Sequence, residues 1–257
     1  MIIDAFPFFN ETDILELRLN ELSPIVDKFV IVESLEMHGS KNIKPANFDR
    51  ERFKQFDIEY VLLPRLEPEY IDSASGWKRE NFQRNALMDA VLIVSSSPND
   101  IVIVSDCDEI PRMTAIRDNL DKLQSGVHQL ELDMYFYNVN NFNGKWARSS
   151  AGTINDFQRA GGFQVLRDKP SAHTISDAGW HFSYFGSPER IRTKVANFAH
   201  SADSICTKLL NQDDIAARVA TGKDLYQDRM LEKRDTNDPR LPEYFRNNLD
   251  RFQDFWS

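Results

Sequence analysis

Apolar positions in the first 111 residues fall into runs and stripes that alternate with polar segments. Residues 2–9 form an apolar run that predicts a strand. Asn10 or Thr12 can cap a helix running through Leu22, with Ile14, Leu15, Leu17, Leu19 and Leu22 as its buried stripe. Lys28 to Val32 predicts a second strand ending at Glu33, residues 34–50 a polar loop, and Ile58 to Leu63 a third strand. Trp77 to Val94 has helical spacing: Phe82, Ala86, Leu87, Ala90, Val91 and Val94 make an apolar face, and Trp77, Glu80, Asn81, Arg84 and Asn85 share another. After the turn at Pro98-Asn99-Asp100 come four β-branched residues, Ile101 to Val104, the mark of a strand covered on both faces. The β-α-β-α-β order implies an α/β fold with a mostly parallel central sheet flanked by helices.

The second half has a different texture. Gln129 to Val139 alternates loosely and is rich in aromatics. Residues 161–166 predict a further strand, as do residues 179–184, and helices follow near 188–199 and 207–220, the 211–224 segment reading as a capped helix that ends at Gly222. The aromatic tail after Asp238 (Tyr244, Phe245, Phe252, Phe255, Trp256) is expected to fold back onto the domain; a membrane-facing amphipathic tail is the alternative. The expected organisation is a single domain over residues 1–257 in three parts, 1–111, 112–200 and a helical extension at 201–257.

Composition narrows the partners. With 257 residues, 41% of them hydrophobic, and 18 Phe, the chain can build one substantial core. A net charge of −9 argues against nucleic acid, whose backbone requires clustered Lys and Arg. Two cysteines, Cys107 and Cys206, lack metal-type spacing and fit a reducing compartment. No signal-like N-terminus and no membrane-length apolar run is seen, so the expected location is cytoplasmic, with peripheral contact at the inner face of the membrane left open.

The apolar strand 101–104 ends in Asp106, Asp108 and Glu109. In open α/β sheets ligands sit at the carboxyl ends of strands, and two carboxylates there can hold a hard divalent cation that also binds a diphosphate. In a strand-like geometry Asp106 and Asp108 face one side and Cys107 the other. The motif points to metal-assisted chemistry on a phosphorylated substrate.

Five blocks in order, FFNETDILELRLNEL, FVIVES, WKRENFQRNAL, DIVIVSDCDEIPR and AGWHFSYFG, resemble glycosyltransferase family 17 from about Met1 to roughly His200. The resemblance implies a GT-A fold, a UDP-sugar donor, Mn²⁺ or Mg²⁺, and inverting transfer of N-acetylglucosamine or a similar hexose to a glycan or lipid-linked oligosaccharide. It makes Asp108 a direct metal ligand and places Asp106 on the ribose or the metal's waters. His181, with His200 as alternative, would be a further ligand. Asn10, Glu11, Glu33, Trp77, Arg84 and Asn85 would contact the nucleotide sugar, Arg84 by meeting phosphate or orienting an Asp. Trp180 would stack on the acceptor sugar or lie in the core. Asp177, Glu131 and Asp133 are alternative general bases. Lys41, Lys44 and His38 would clamp the diphosphate or belong to a solvated loop. Two competing readings are a phosphatase of the haloacid dehalogenase type and a non-catalytic nucleotide-sugar or glycan binder.

Overall fold

The computed structural model describes residues 1–38, 42–64, 76–197, 204–212 and 214–256. Strands β1 (Ile2–Phe8), β2 (Lys28–Ser34), β3 (Ile58–Leu63) and β4 (Ile101–Val104) pair in parallel in the order β3-β2-β1-β4. Helix α1 (Thr12–Leu22) crosses over between β1 and β2, and α2 (Gly76–Val94) between β3 and β4. Val102 and Ile103 are fully buried, as the four-residue β-branched run requires.

Beyond β4 the sheet becomes mixed. β5 (Glu109–Pro111), β6 (His128–Phe136), β7 (Asn141–Thr153) and β8 (Thr174–Ser183) extend it in the order β4-β7-β6-β8-β5, and β9 (Glu232–Lys233) pairs with β7. Pairings β4–β7, β7–β6 and β8–β5 are antiparallel, and β6–β8 is parallel. The short helices α3 (Met113–Arg117) and α4 (Leu120–Leu123) lie between β5 and β6, α5 (Ile154–Arg159) and α6 (Phe163–Asp168) between β7 and β8, and α7 (Pro188–Asn197), α8 (Ser204–Gln212) and α9 (Ile215–Thr221) follow β8.

One apolar layer joins α1 to the C-terminal aromatics Phe245, Phe252 and Phe255; a second joins α2 to Phe157, Phe163 and Leu166. The tail therefore packs back, as expected. Each buried Leu, Ile or Phe contributes about 1.5–3 kcal/mol, against about 0–1 kcal/mol for an exposed ion pair such as Lys54–Glu51, so these layers carry the fold. No helix among the described residues is long and apolar enough to cross a membrane.

Three local expectations need correction. Residues 163–168 are a helix: Gly161 and Gly162 take φ of 95° and 102°, ending α5 and restarting the chain, and Phe163 and Leu166 bury at helical spacing while Val165 is exposed. Neither Asn10 nor Thr12 caps α1; Glu11 stands at that position, and its carboxylate accepts the Phe9 and Asn10 N–H groups. The 207–220 helix is two helices, α8 and α9.

Candidate active site

Residues 106–109 form a tight turn, closed by the Glu109 N–H donating to the Asp106 carbonyl at 3.0 Å. Cys107 turns into the core, and Asp106, Asp108 and Glu109 line a cleft of about 730 Å³. The turn is fastened from beneath by Arg18, fully buried on α1. Its Nε and Nη2 grip Asp4 of β1 at 2.8 and 2.6 Å, Nη2 reaches Ser105 Oγ at 2.7 Å, and Nη1 donates to the carbonyls of Asp106 at 2.8 Å and Glu109 at 2.7 Å. A guanidinium with every nitrogen engaged offsets the cost of burying its charge.

On the cleft side each carboxylate has its own partners. Asp106 accepts from Arg84 Nη2 at 2.9 Å and from Arg167 Nη2 at 2.5 Å. Burial pushes the Asp106 carboxyl up, but the two guanidinium groups outweigh it and hold it down at about 2. Asp108 Oδ2 accepts from Lys194 Nζ at 2.6 Å, and its Oδ1 lies 3.6 Å from His181 Nε2. Burial again opposes ionisation, and Lys194 and His181 override it, so Asp108 sits well below the usual carboxylate range. Glu109 is buried among Trp146 Nε1 at 2.6 Å, Ser149 Oγ at 2.7 Å and Arg167 Nη1 at 2.8 Å. His181 reaches the cleft because Glu109 of β5 pairs with it across β8. At neighbouring Gly179 a Cβ would stand 2.2 Å from the Ile110 carbonyl oxygen, so glycine is required for β5 and β8 to approach.

Trp77 and Glu80 stand on the cleft wall; Arg84 is buried behind them, bonded to Glu80 and Asp106. Asn85 is exposed and lines none of the cavities described here. Glu11 lines a side pocket of about 110 Å³ with Ser34, Glu36, His38 and Gln83, at the carboxyl ends of β1 and β2. Asn10 borders a neighbouring hollow of about 20 Å³. Burial, reinforced by Arg79 and Arg84, lowers His38 to about 4, so it is neutral at pH 7.

Other expected residues stand elsewhere. Glu33 is fully buried and holds the 44–48 loop through Lys44, the Asn47 and Phe48 N–H groups and Tyr60; Lys44 is thereby consumed as a structural partner. Trp180 is buried in the core under Arg112, with Nε1 donating to the Arg240 carbonyl, and presents no face to the cleft. Asp177 is exposed beside Arg112; Asp133 is held by Lys145 and Arg234, and Glu131 lies 3.7 Å from Lys145. These three carboxylates are absent from the cleft lining; for Glu131 and Asp133 this follows because along β6 Met134 and Phe136 take the cleft side. Lys41 and His200 lie outside the described residues.

Arg18, Arg167, Lys194, Trp146 and Asp168 were not singled out from the sequence. For Arg18 a signal existed: Asp4 and Arg18 are opposite charges, each set inside an apolar run. For Arg167 and Asp168 it was hidden by the strand assignment of 161–166. Among the described residues no group of three or more His, Cys, Asp or Glu side chains could hold a metal.

The beta-1,4-mannosyl-glycoprotein 4-beta-N-acetylglucosaminyltransferase of Rattus norvegicus is 32% identical over 120 residues, 43% of this chain; the matched part spans only 21% of the rat protein. Among solved structures, S. aureus TarS (residues 1–349) aligns over 86% of this chain and 70% of its own, with 11% identity and a TM-score of 0.40. The 4-diphosphocytidyl-2C-methyl-D-erythritol synthase of Anaerococcus prevotii aligns over 76% and 95%, with 8% identity and a TM-score of 0.40. The model of glycosyltransferase family 17 matches residues 1–237, and the chain belongs to that family.

Proposed function

We propose that the protein transfers a sugar, N-acetylglucosamine or a similar hexose, from a UDP-sugar to a glycan or lipid-linked oligosaccharide hydroxyl, with inversion and with Mn²⁺ or Mg²⁺. The observation that carries this reading is the ionised acidic turn, fixed at the end of β4 and facing the large cleft.

The chemistry of the donor set fits a cation at Asp108 and His181. Asp108 Oδ1 and His181 Nε2 lie 3.6 Å apart, and these would be the two side-chain atoms that hold it. Asp106 does not fit as a direct ligand, since each of its oxygens holds a guanidinium. Bound at Asp108 and His181, a hard divalent cation would supply positive charge that draws off charge from the departing nucleotide.

The chain's own residues supply the rest. Among the described residues Arg84 Nε and Nη1 have no partner, so this guanidinium has N–H groups to spare beside the diphosphate position. The side pocket with neutral His38 suits a nucleoside base. Trp77, Trp146, Tyr184 and Tyr226 offer aromatic faces for sugar rings. For the base we assign Asp168. Among the cleft carboxylates Glu80, Asp106, Asp108, Glu109 and Asp224 each hold a cation, whereas Asp168 is exposed and, among the described residues, accepts only from Gln164 Nε2. As the acceptor oxygen bonds to the sugar's anomeric carbon, the bond from that carbon to the diphosphate oxygen breaks, and Asp168 takes the hydroxyl proton.

The test is nucleoside diphosphate release from a panel of nucleotide sugars, with Mn²⁺, Mg²⁺ or EDTA, on wild type and Asp108→Ala. Cation-dependent release from a UDP-sugar, lost in the variant, is expected. Equal release by Asp108→Ala would overturn the assignment.

A further inference from the structure

Lys194, on α7, borders the main cleft, the side pocket and the small hollow alike. Its ammonium lies 2.6 Å from Asp108 Oδ2, 4.0 Å from Glu11 Oε1 and 5.4 Å from the centre of the Tyr184 ring. Together with His181 on the other oxygen, it leaves Asp108 with a neighbour at each end. The carboxylate that would hold a divalent cation thus already carries a resident cation. An ammonium and a divalent ion on one carboxylate repel each other, the more so in a buried site of low dielectric. A lysine, unlike the arginines on Asp106, is a point charge on a flexible stem and can move without breaking a two-pronged bond.

We propose that Lys194 is a built-in counter-cation that keeps Asp108 neutralised until a nucleoside diphosphate arrives, and then transfers its charge to the diphosphate, freeing Asp108 for the metal. Cation and nucleotide therefore bind cooperatively, each raising the affinity of the other by the same factor. This rests on the reading of Asp108 as the metal-holding carboxylate.

The experiment is titration of the full chain with Mn²⁺, followed by the electron paramagnetic resonance of free Mn²⁺, with and without UDP. Wild type should bind Mn²⁺ weakly alone and on the order of tenfold more tightly with UDP. Lys194→Gln and Lys194→Met should bind Mn²⁺ alone on the order of tenfold more tightly than wild type, with a correspondingly smaller gain from UDP. Lys194→Arg, which keeps the charge, should retain weak binding without UDP. Circular dichroism checks that the variants are folded, and either neutral variant suffices if the other is not. Wild-type-like Mn²⁺ affinity in a folded neutral variant, alongside UDP-enhanced binding in wild type, would overturn the proposal. Absence of Mn²⁺ binding in every protein, even with UDP, would overturn the underlying metal assignment instead.

Discussion

The two sides of the acidic turn are built on opposite rules. Beneath it, Arg18 spends every nitrogen on Asp4, Ser105 and the turn's own carbonyls, in a pocket closed to solvent. Above it, the partners are incomplete: among the described residues Arg84 has two nitrogens without acceptors and His181 Nδ1 has none, and Lys194 makes one short hydrogen bond, to Asp108. The underside fixes the backbone whether or not a ligand is present, while the upper side holds its carboxylates with groups that can be exchanged. A site built this way is positioned before substrate arrives, yet has hydrogen-bonding capacity left for it.

Removing the underside should have the largest effect. Arg18→Met leaves the Asp4 carboxylate buried and unpaired and should destabilise the protein by about 3–5 kcal/mol, read from urea unfolding. Asp4→Leu with Arg18→Met should recover much of that stability without recovering transfer, since the turn's carbonyls remain unsupported; recovery of both would show that the underside is only packing. On the upper side, Asp168→Asn should lower kcat by about 10²–10⁴ with little change in donor binding. A variant with normal kcat would move the base elsewhere.

The smallest effect separates the two sides by pH. Asp106 is held at about 2, below an unfolded value of about 3.9, so its ionised form adds stability above pH 4 that is lost as pH falls toward 2. Asp106→Asn should be the less stable protein at pH 7, and its deficit should shrink between about pH 4 and 2. An unchanged deficit would mean that the Arg84 and Arg167 contacts do not depend on the carboxylate's charge.

The parallel half was legible because each element has one dominant period: Ile58–Leu63, the four-residue run ending at Val104, and α2 were all expected within a residue or so. The mixed half was less so, because short elements carry too few residues to display a period; 163–168 reads as either strand or helix until Gly161 and Gly162 are known to have positive φ. The acidic turn itself was visible at a strand end. Of its partners, Arg84 was expected to orient an Asp and does so at Asp106, whereas Arg167 and Lys194 were not expected, since they approach from two separate helices and only the tertiary fold makes them neighbours. Glu33 misled for a related reason: a strand-end position does not specify which way the side chain faces, and here it turns to Lys44 and Tyr60.

The Arg18 anchor also has a consequence for folding order. Asp4 and Arg18 are close in sequence, but the carbonyls they fasten lie 88 to 91 residues from Arg18. Closing so long a segment carries an entropic cost that local helices and hairpins do not, and such contacts form late. The acidic turn is thus expected to be among the last pieces of the parallel half to take its native shape, since a chain that lacks residues 105–109 has the clamp but none of the groups it fastens.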